Sequence, residues 1–226
     1  MSRPPDSGAT LAELRLRVPT EVDRILLHSA HQGFLGAMPA ADQIDHAIGF
    51  VFASESVLAR QPTSFVDLGT GGGVPGVVLV ACWPECRAVL LDANERRSDF
   101  LDLELAGWRR SGTLEVVRGR AEEVGREPAF RQQFDLVTSR SFGSPPVTAE
   151  CGAPLLAVGG LLVVSEPPEG PGADRWPGDG LAELGLAEAA HIRFEDRFGY
   201  RVLRKVEPTS DRYPRRVGVP AKRPLF

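Results

Sequence analysis

The hydrophobic pattern of the chain changes near residue 64, where helical stretches give way to short apolar runs. Before that point, two segments have apolar residues at helical spacing, one beginning near Thr20, which can cap it, and one over 41–60. After that point, apolar runs rich in β-branched residues alternate with helical segments. The strands are predicted over 65–68, 88–92, 113–117, 134–139 and 159–165, and the helices between them over 74–83, 95–110 and 147–157.

This alternation predicts a parallel sheet with helices on both faces. Two more strands, 187–196 and 200–206, are separated by a short turn and predict an antiparallel pair at the sheet edge. The segment 166–180 is dense in Pro and Gly and predicts a surface loop, whereas the tail 210–226 has no periodicity and predicts no regular element. We therefore expect a Rossmann-like α/β fold with a seven-stranded, mostly parallel sheet whose last strand is antiparallel.

Length, charge and cysteine usage limit the classes of protein to consider. A length of 226 residues fits a single domain with one hydrophobic core. A formal net charge of -4 and a pI near 5.7 argue against a protein that coats nucleic acid or membrane through bulk charge. We expect an N-terminal tail and helical cap over 1–60 and the main domain over 61–226. No run approaches the ~18 apolar residues of a membrane span, and the three cysteines lack metal-ligand spacing, so a cytoplasmic protein without metal is expected.

The stretch "FVDLGTGGGVPG", from Phe65 to Gly76, places four glycines in five positions between a predicted strand and a predicted helix. A bare backbone at this place lets a ligand approach the unpaired N–H groups of a helix N-terminus. The P-loop hypothesis fails because no G-K-[ST] follows the glycines. A dinucleotide site remains open, since Gly71, Gly73 and Gly76 match G-x-G-x-x-G and Asp92 follows about twenty residues later.

Asp67 favours S-adenosylmethionine over a dinucleotide. A carboxylate just before the glycines repels a pyrophosphate but suits a ligand that carries an ammonium and a sulfonium group. In this interpretation Gly69, Gly71 and Gly73 close around the methionine part, and Asp92 accepts hydrogen bonds from the ribose hydroxyls. Two structural alternatives stay open, because Asp67 can cap the next helix and Asp92 can serve a strand-end turn.

Five motifs in order resemble those of the RsmG (glucose-inhibited division protein B) methyltransferases. They are "DLGTGGGVPG", "LLDANERRSDFL", "RGRAEEV", "FDLVTSRSF" and "YPRRVGVPAKRPL". The resemblance implies the class I methyltransferase fold, S-adenosylmethionine as cofactor, and methylation of guanine N7 in small-subunit ribosomal RNA. It also implies cofactor contacts at Gly69, Val74, Ala121, Glu122 and Arg140.

The chain departs from this family on surfaces that would face the substrate. The family's N-terminal W-N-x-x-x-N-L-T and H-x-x-D-S elements are replaced, with His46 alone matching the second, and Glu166 stands near a position where the family commonly has lysine. A methyltransferase acting on another RNA or on a small molecule is therefore the alternative. A non-catalytic cofactor-binding assembly factor is the second alternative.

The residues after the fourth strand fit a transfer that needs positioning and no proton removal. Guanine N7 already has an in-plane lone pair, and "SRSFGSPP" is not the D/N-P-P-Y motif used for exocyclic amines. Arg140 is the predicted positioning residue, and Phe142 can stack on a base or belong to the core. Ribosomal RNA or the small ribosomal subunit is the expected partner of a monomeric enzyme. The predicted phosphate contacts are Arg96, Arg97, Arg215 and Arg216, with Lys222 and Arg223 as further candidates.

Overall fold

The computed structural model describes residues 9–111, 113–167 and 175–226. Seven strands, β1 to β7, cover Ser64–Leu68, Arg87–Asp92, Leu114–Arg118, Phe134–Ser139, Leu156–Glu166, Leu186–Phe194 and Phe198–Lys205. The α-helices of the described residues, α1 to α9, cover Leu11–Arg15, Thr20–His31, Ala40–Leu58, Gly76–Cys82, Glu95–Glu104, Ala121–Val124, Pro145–Gly152, Gly178–Glu183 and Val219–Lys222. Two 3-10 turns, Ala106–Ser111 and Ala153–Leu155, complete the secondary structure of these ranges.

The strands form one sheet in the order β3-β2-β1-β4-β5-β7-β6. The five strands from β3 to β5 are parallel, whereas β7 is antiparallel to both of its neighbours. The predicted fold is confirmed, including the antiparallel pair, in which β6 is the edge strand. The strand order reverses at β1, which pairs with β2 on one side and β4 on the other, and such a switch point opens a crevice at the carboxyl ends of the strands.

Alternate residues of the strands face two separate hydrophobic cores. On one face, Phe65, Leu90 and Leu136 pack with α2, α3 and α4, and α3 also contacts the three strands β5, β6 and β7. On the other face, Val66 and Leu91 pack with α6, α7, α8 and the C-terminal residues. The N-terminal helices therefore share a core with the sheet, and a domain boundary at residue 60 stays a prediction.

Several local predictions were wrong at the ends of helices. Pro19 precedes the first residue of α2, and Thr20 lies inside the helix with no capping hydrogen bond from a side chain. The helix predicted over 95–110 ends at Glu104 and continues as a 3-10 turn that contains Gly107, a residue that weakens helices. The helix predicted over 147–157 spans Pro145–Gly152, because Gly152 and Pro154 favour its termination and β5 then begins at Leu156.

The C-terminal part has more regular structure than its composition indicated. Helix α8 occupies the end of the segment 166–180 that was predicted to be a loop, and residues 168–174 of that segment lie outside the described residues. The tail contains α9, where Pro220 stands in the first turn and loses no helical hydrogen bond. Among the described helices, none combines the length and apolar character needed to cross a membrane.

Candidate functional site

The glycines between β1 and α4 face different surroundings. Gly69, Gly71 and Gly73 have φ values of +70°, +56° and +100°, a region that favours glycine. A Cβ added at Gly69 would lie 2.5 Å from Phe142 Cδ2, and one at Gly73 would lie 2.7 Å from Val77 Cγ2. At Gly71 the nearest atoms to an added Cβ are Gly69 O at 3.8 Å and Arg97 Nη1 at 4.0 Å, which are ordinary van der Waals contacts.

Asp92 ties the glycine loop to the end of β2. Its Oδ2 accepts the Gly71 N–H at 2.8 Å, and its Oδ1 accepts the Asn94 N–H at 2.7 Å. Asn94 in turn caps α5 by accepting the Arg97 N–H at 3.2 Å. Asp92 therefore serves the turn at the end of the strand, which was one of the alternatives left open by the sequence. Asp92 also lines a cavity at this end of the sheet.

A cavity of about 420 Å³ opens at the switch point between the carboxyl ends of β1, β2, β3 and β4. Four residues predicted to bind the cofactor line it, namely Gly69, Asp92, Ala121 and Glu122. Phe142 also lines the cavity, in the loop after β4. Residues that are distant in sequence thus meet in one concave site large enough for a small ligand.

Asp67 lies behind this cavity and is 1% exposed. Its Oδ2 accepts the Gly76 N–H at 2.9 Å, and its Oδ1 accepts the Thr138 hydroxyl at 2.9 Å. Burial raises the pKa of Asp67 to about 6, against the opposing effects of these donors, the Thr70 hydroxyl and the Arg140 charge. The helix contact is therefore present, and a direct cofactor contact of Asp67 stays a prediction.

Val74 and Gly73 also lie behind the cavity wall. Val74 is a member of the core shared with the N-terminal helices, and the Cα of Gly73 faces Val77 and Leu101 of the same core. Neither residue is among those that line the cavity. Contact of either residue with the cofactor stays a prediction, and their observed neighbours show that they hold the loop against the core.

Arg140 is half-buried after β4 and faces the N-terminal helices. Burial lowers the pKa of Arg140, whereas Tyr200 and Asp67 act in the opposite direction, so both lie near its guanidinium. Its Nη1 is buried and has no hydrogen-bond partner among the described residues. A buried donor without a partner costs free energy, which favours a ligand at this place. The predicted contact of Arg140 with cofactor or acceptor is compatible with this position and stays a prediction.

His46 of α3 lies near Arg140. Its match to the H-x-x-D-S element was the only indication of this residue in the sequence. Burial first, and then the charge of Arg140, lower the pKa of His46 to about 3. The His46 ring stacks on Phe198 at a centroid distance of 4.9 Å, and its Nδ1 is buried without a partner in the described ranges. Tyr200 donates its hydroxyl to the His46 carbonyl at 2.6 Å, which fixes α3 to β7.

Glu122, in α6, is held by two groups from different parts of the chain. Its Oε1 accepts the Gly218 N–H at 2.9 Å and an Arg120 N–H at 3.4 Å. Burial by itself would raise the pKa of Glu122, but these donors, together with the charge of Arg120, outweigh it and lower that pKa. Glu122 is therefore a carboxylate at neutral pH, placed where a ligand hydroxyl or amine can reach it.

The predicted phosphate contacts fall into two groups. Arg215 already has an ion-pair partner in the chain, because its Nε and Nη2 donate to the buried carboxylate of Glu150 at 2.8 and 2.5 Å. Arg97 lines the cavity, Arg96 lies 5.6 Å from the Phe34 ring centroid, and Arg216 is exposed. These three have no ion pair among the described residues, and RNA contact of all four arginines stays a prediction.

Glu166, at the end of β5, is neutralised within the chain. Its Oε2 accepts from Arg175 at 2.5 Å, and its Oε1 accepts the Trp176 Nε1–H at 2.9 Å.

The described residues contain no group of three or more His, Cys, Asp or Glu arranged to hold a metal ion. Several lining residues were not singled out from the sequence, among them Gly119, Ser144, Val147 and Ala221, and Ala221 of α9 lines the cavity although it lies in the tail. The tail motif was the available signal for it.

Comparison with protein families matches residues 45–166 to the model described as GidB, rRNA small subunit methyltransferase G, which covers more than half of the chain. A protein named ribosomal RNA small subunit methyltransferase G from Leuconostoc citreum is 30% identical over 97% of this chain and 95% of its own length. A protein of the same name from Symbiobacterium thermophilum is 40% identical over 71% of this chain and 69% of its own length.

Solved structures with low sequence identity share the fold. The crystal structure of cofactor-bound Rv0187 from MTB has a TM-score of 0.60 at 19% identity, and covers 92% of this chain and 99% of that one. The O-methyltransferase from Bacillus cereus in complex with SAH has a TM-score of 0.57 at 15% identity, over 84% of this chain and 91% of that one. These two likenesses establish the Rossmann-like methyltransferase fold.

Proposed function

The chain belongs to the rRNA small subunit methyltransferase G family of S-adenosylmethionine-dependent methyltransferases, and from this premise we propose that it methylates N7 of a guanine in small-subunit ribosomal RNA. Family membership sets aside the non-catalytic alternative. That the enzyme acts as a monomer, without metal and in the cytoplasm, stays a prediction.

One observation carries the proposal most directly. Gly69, Asp92, Ala121 and Glu122 were predicted as cofactor contacts from separate motifs, and all four line one cavity at the topological switch point. The lining suits S-adenosylmethionine, because bare backbone stands at Gly69 and carboxylates stand at Asp92 and Glu122, where ribose hydroxyls or an amine would be held. When bound, this cofactor supplies an electrophilic methyl group.

The residues of this chain would contribute positioning and charge. Guanine N7 would accept this methyl group on its in-plane lone pair and would lose no proton, so no general base is required of this chain. Asp67 is a buried carboxylate between the end of β1 and the start of α4, and at pH 7 it is ionised, because its pKa of about 6 lies below that pH. It therefore favours cationic charge throughout the transfer.

Arg140 and His46 would orient the acceptor. The unpartnered Nη1 of Arg140 can donate to an acceptor atom such as guanine O6, which leaves N7 free for attack. His46 stays neutral next to this cation because its pKa is about 3. A neutral imidazole avoids a second positive charge beside a base that itself becomes cationic.

A methylation assay on isolated ribosomal particles tests the proposal. Small subunits from a strain lacking the gene are incubated with the enzyme and methyl-labelled S-adenosylmethionine, and the RNA is then reduced with borohydride and cleaved with aniline. Label in the RNA and cleavage at one guanine are expected, because N7-methylguanine is the base that this chemistry opens. Label at an exocyclic amine, or no label in the RNA, would contradict the proposal.

The alternative acceptor class is tested in the same assay. The replaced N-terminal motifs motivate it, since they lie in the part of the chain that brings His46 to Arg140. Total RNA lacking ribosomal RNA and a small-molecule extract from the same strain serve as parallel substrates. Label in either fraction, with none in the ribosomal RNA, would favour that alternative.

A further inference from the structure

The last residues of the chain form a segment that we call the C-terminal strap, residues 213–226, and both of its ends are anchored. At its start, Tyr213 is fully buried, its carbonyl accepts from Arg131 Nη1 at 2.9 Å, and its hydroxyl is bonded to Glu183. At its end, Phe226 packs on α8 at Gly180. Both ends of the strap therefore contact α8, and the residues between Tyr213 and Phe226 join these two attachments.

Two carboxylates hold the middle of the strap beside the cavity. Glu150 of α7 is fully buried and binds the backbone N–H and the guanidinium of Arg215. Glu122, which lines the cavity, accepts the Gly218 N–H at 2.9 Å. Charge-assisted hydrogen bonds of this kind are short and directional. The position of the strap is thus coupled to a residue of the cavity wall.

The inner side of the strap is itself part of that wall. Ala221 lines the cavity together with Cys151 of α7, and Pro220 beside it is buried. Ala221 is exposed, so its side chain is accessible to a ligand that fills the cavity. A bound cofactor would therefore cover Ala221 and rest on the strap.

The outer side of the strap is cationic. Arg216, Lys222 and Arg223 are exposed and form no ion pair in the part of the chain that the structure describes. Lys222 and Arg223 follow Ala221 directly, so two of the cations adjoin the wall residue in the chain. Exposed cations without acidic partners are the groups that replace counterions on a phosphate backbone.

From these contacts we propose that the C-terminal strap couples the two substrates: its inner side closes the cofactor cavity, its outer side binds RNA phosphates, and each ligand raises the affinity for the other. This inference rests on the proposed function for the identity of the nucleic acid. Phosphates bound to Lys222 and Arg223 and a cofactor packed on Ala221 would hold adjacent residues of the strap, so each ligand favours the position that the other contacts. Such coupling is reciprocal by thermodynamic necessity.

The first experiment tests the wall with the cofactor product alone. Ala221→Trp should weaken binding of S-adenosylhomocysteine by about tenfold or more in calorimetric titration, because the indole enters the cavity. Ala189→Trp, at an exposed position of the edge strand β6, is the matched control and should bind as the wild type does. Equal affinity of the Ala221→Trp and wild-type proteins would show that Ala221 is not part of the surface that contacts the cofactor.

The second experiment tests the coupling by equilibrium dialysis of labelled S-adenosylhomocysteine with and without unmodified small-subunit ribosomal RNA. RNA should raise the wild-type affinity by about tenfold. The triple variant Arg216→Gln, Lys222→Gln, Arg223→Gln should bind S-adenosylhomocysteine normally without RNA and lose this increase. The control variant replaces three exposed arginines elsewhere, by Arg24→Gln, Arg60→Gln and Arg193→Gln. It should keep the increase in S-adenosylhomocysteine affinity that RNA causes.

Equal wild-type affinity with and without RNA, or the same increase in the strap variant, would overturn the coupling. Methylation of the RNA is measured in separate samples with labelled S-adenosylmethionine. A wild-type enzyme that methylates the RNA but shows no coupling refutes this inference alone. An enzyme that methylates neither this RNA nor isolated small subunits refutes the proposed function, whereas the Ala221→Trp result still decides whether Ala221 contacts the cofactor.

Discussion

Replacing Asp67 with asparagine should make the protein more stable at neutral pH and less able to hold a cationic ligand. The carboxylate is 1% exposed, and its two hydrogen bonds, from Gly76 N–H and the Thr138 hydroxyl, come from neutral donors. An asparagine can keep the Gly76 bond through its oxygen and donate its amide to Thr138. The substitution therefore removes the buried charge with little change in shape.

The magnitude follows from the pKa of Asp67, which burial raises from an ordinary value of 3.8 to about 6. Below both values the carboxyl is protonated in the folded and unfolded states and has no effect on stability. Between them the folded protein holds the proton more tightly, so stability falls as pH rises from about 4 to about 6. A difference of about 2 in pKa corresponds to about 3 kcal/mol, which is the expected gain of Asp67→Asn at pH 7 relative to its effect at pH 3.

Urea unfolding of both proteins, followed by tryptophan fluorescence at several pH values from 3 to 7, measures this effect. The quantity to compare is the difference between the two unfolding free energies. The lowered pKa of His46 also makes stability depend on pH over this range, with the opposite sign, and this contribution cancels in the difference. In calorimetry, Asp67→Asn should weaken S-adenosylmethionine about tenfold more than S-adenosylhomocysteine, which lacks the sulfonium charge. A difference in stability that does not change with pH, or equal losses for the two ligands, would refute the reasoning.

Three further predictions concern strain, ion pairing and titration. Gly69→Ala should cost about 1–3 kcal/mol of stability and abolish S-adenosylhomocysteine binding, whereas Gly33→Ala, with φ +73° and open space around it, should show only the small backbone cost; equal effects in chemical unfolding would contradict the clash. Arg215→Met should cost about 3 kcal/mol by leaving buried Glu150 unpaired, and the added change Glu150→Met should recover most of it; absence of recovery in chemical unfolding would argue against an unpaired charge. In NMR, the His46 ring shifts should stay constant between pH 5 and 8, since its pKa is about 3; a midpoint near 6.5 would contradict its burial.

Four of the residues that line the cavity could be predicted because they lie at the end of a strand or just after it. Gly69 follows β1, Asp92 is the last residue of β2 and the pair Ala121–Glu122 comes after β3, and parallel strands bring their carboxyl ends to one edge. The alternation of apolar runs was enough to predict that arrangement. Val74 follows the glycine loop directly and packs into the core, and its contact with the cofactor stays a prediction.

The sequence by itself determined the order of the elements, the parallel sheet and the place of the glycine loop, because these depend on periodicity and chemistry within a few residues. Only the tertiary structure decided which charged groups are free to meet a ligand. Arg215 pairs with Glu150 across 65 residues, and the Gly218 N–H binds Glu122 across 96. Such partners are chosen by how the strap packs on α7 and α6, and an interaction between distant segments leaves no periodic signal in the chain.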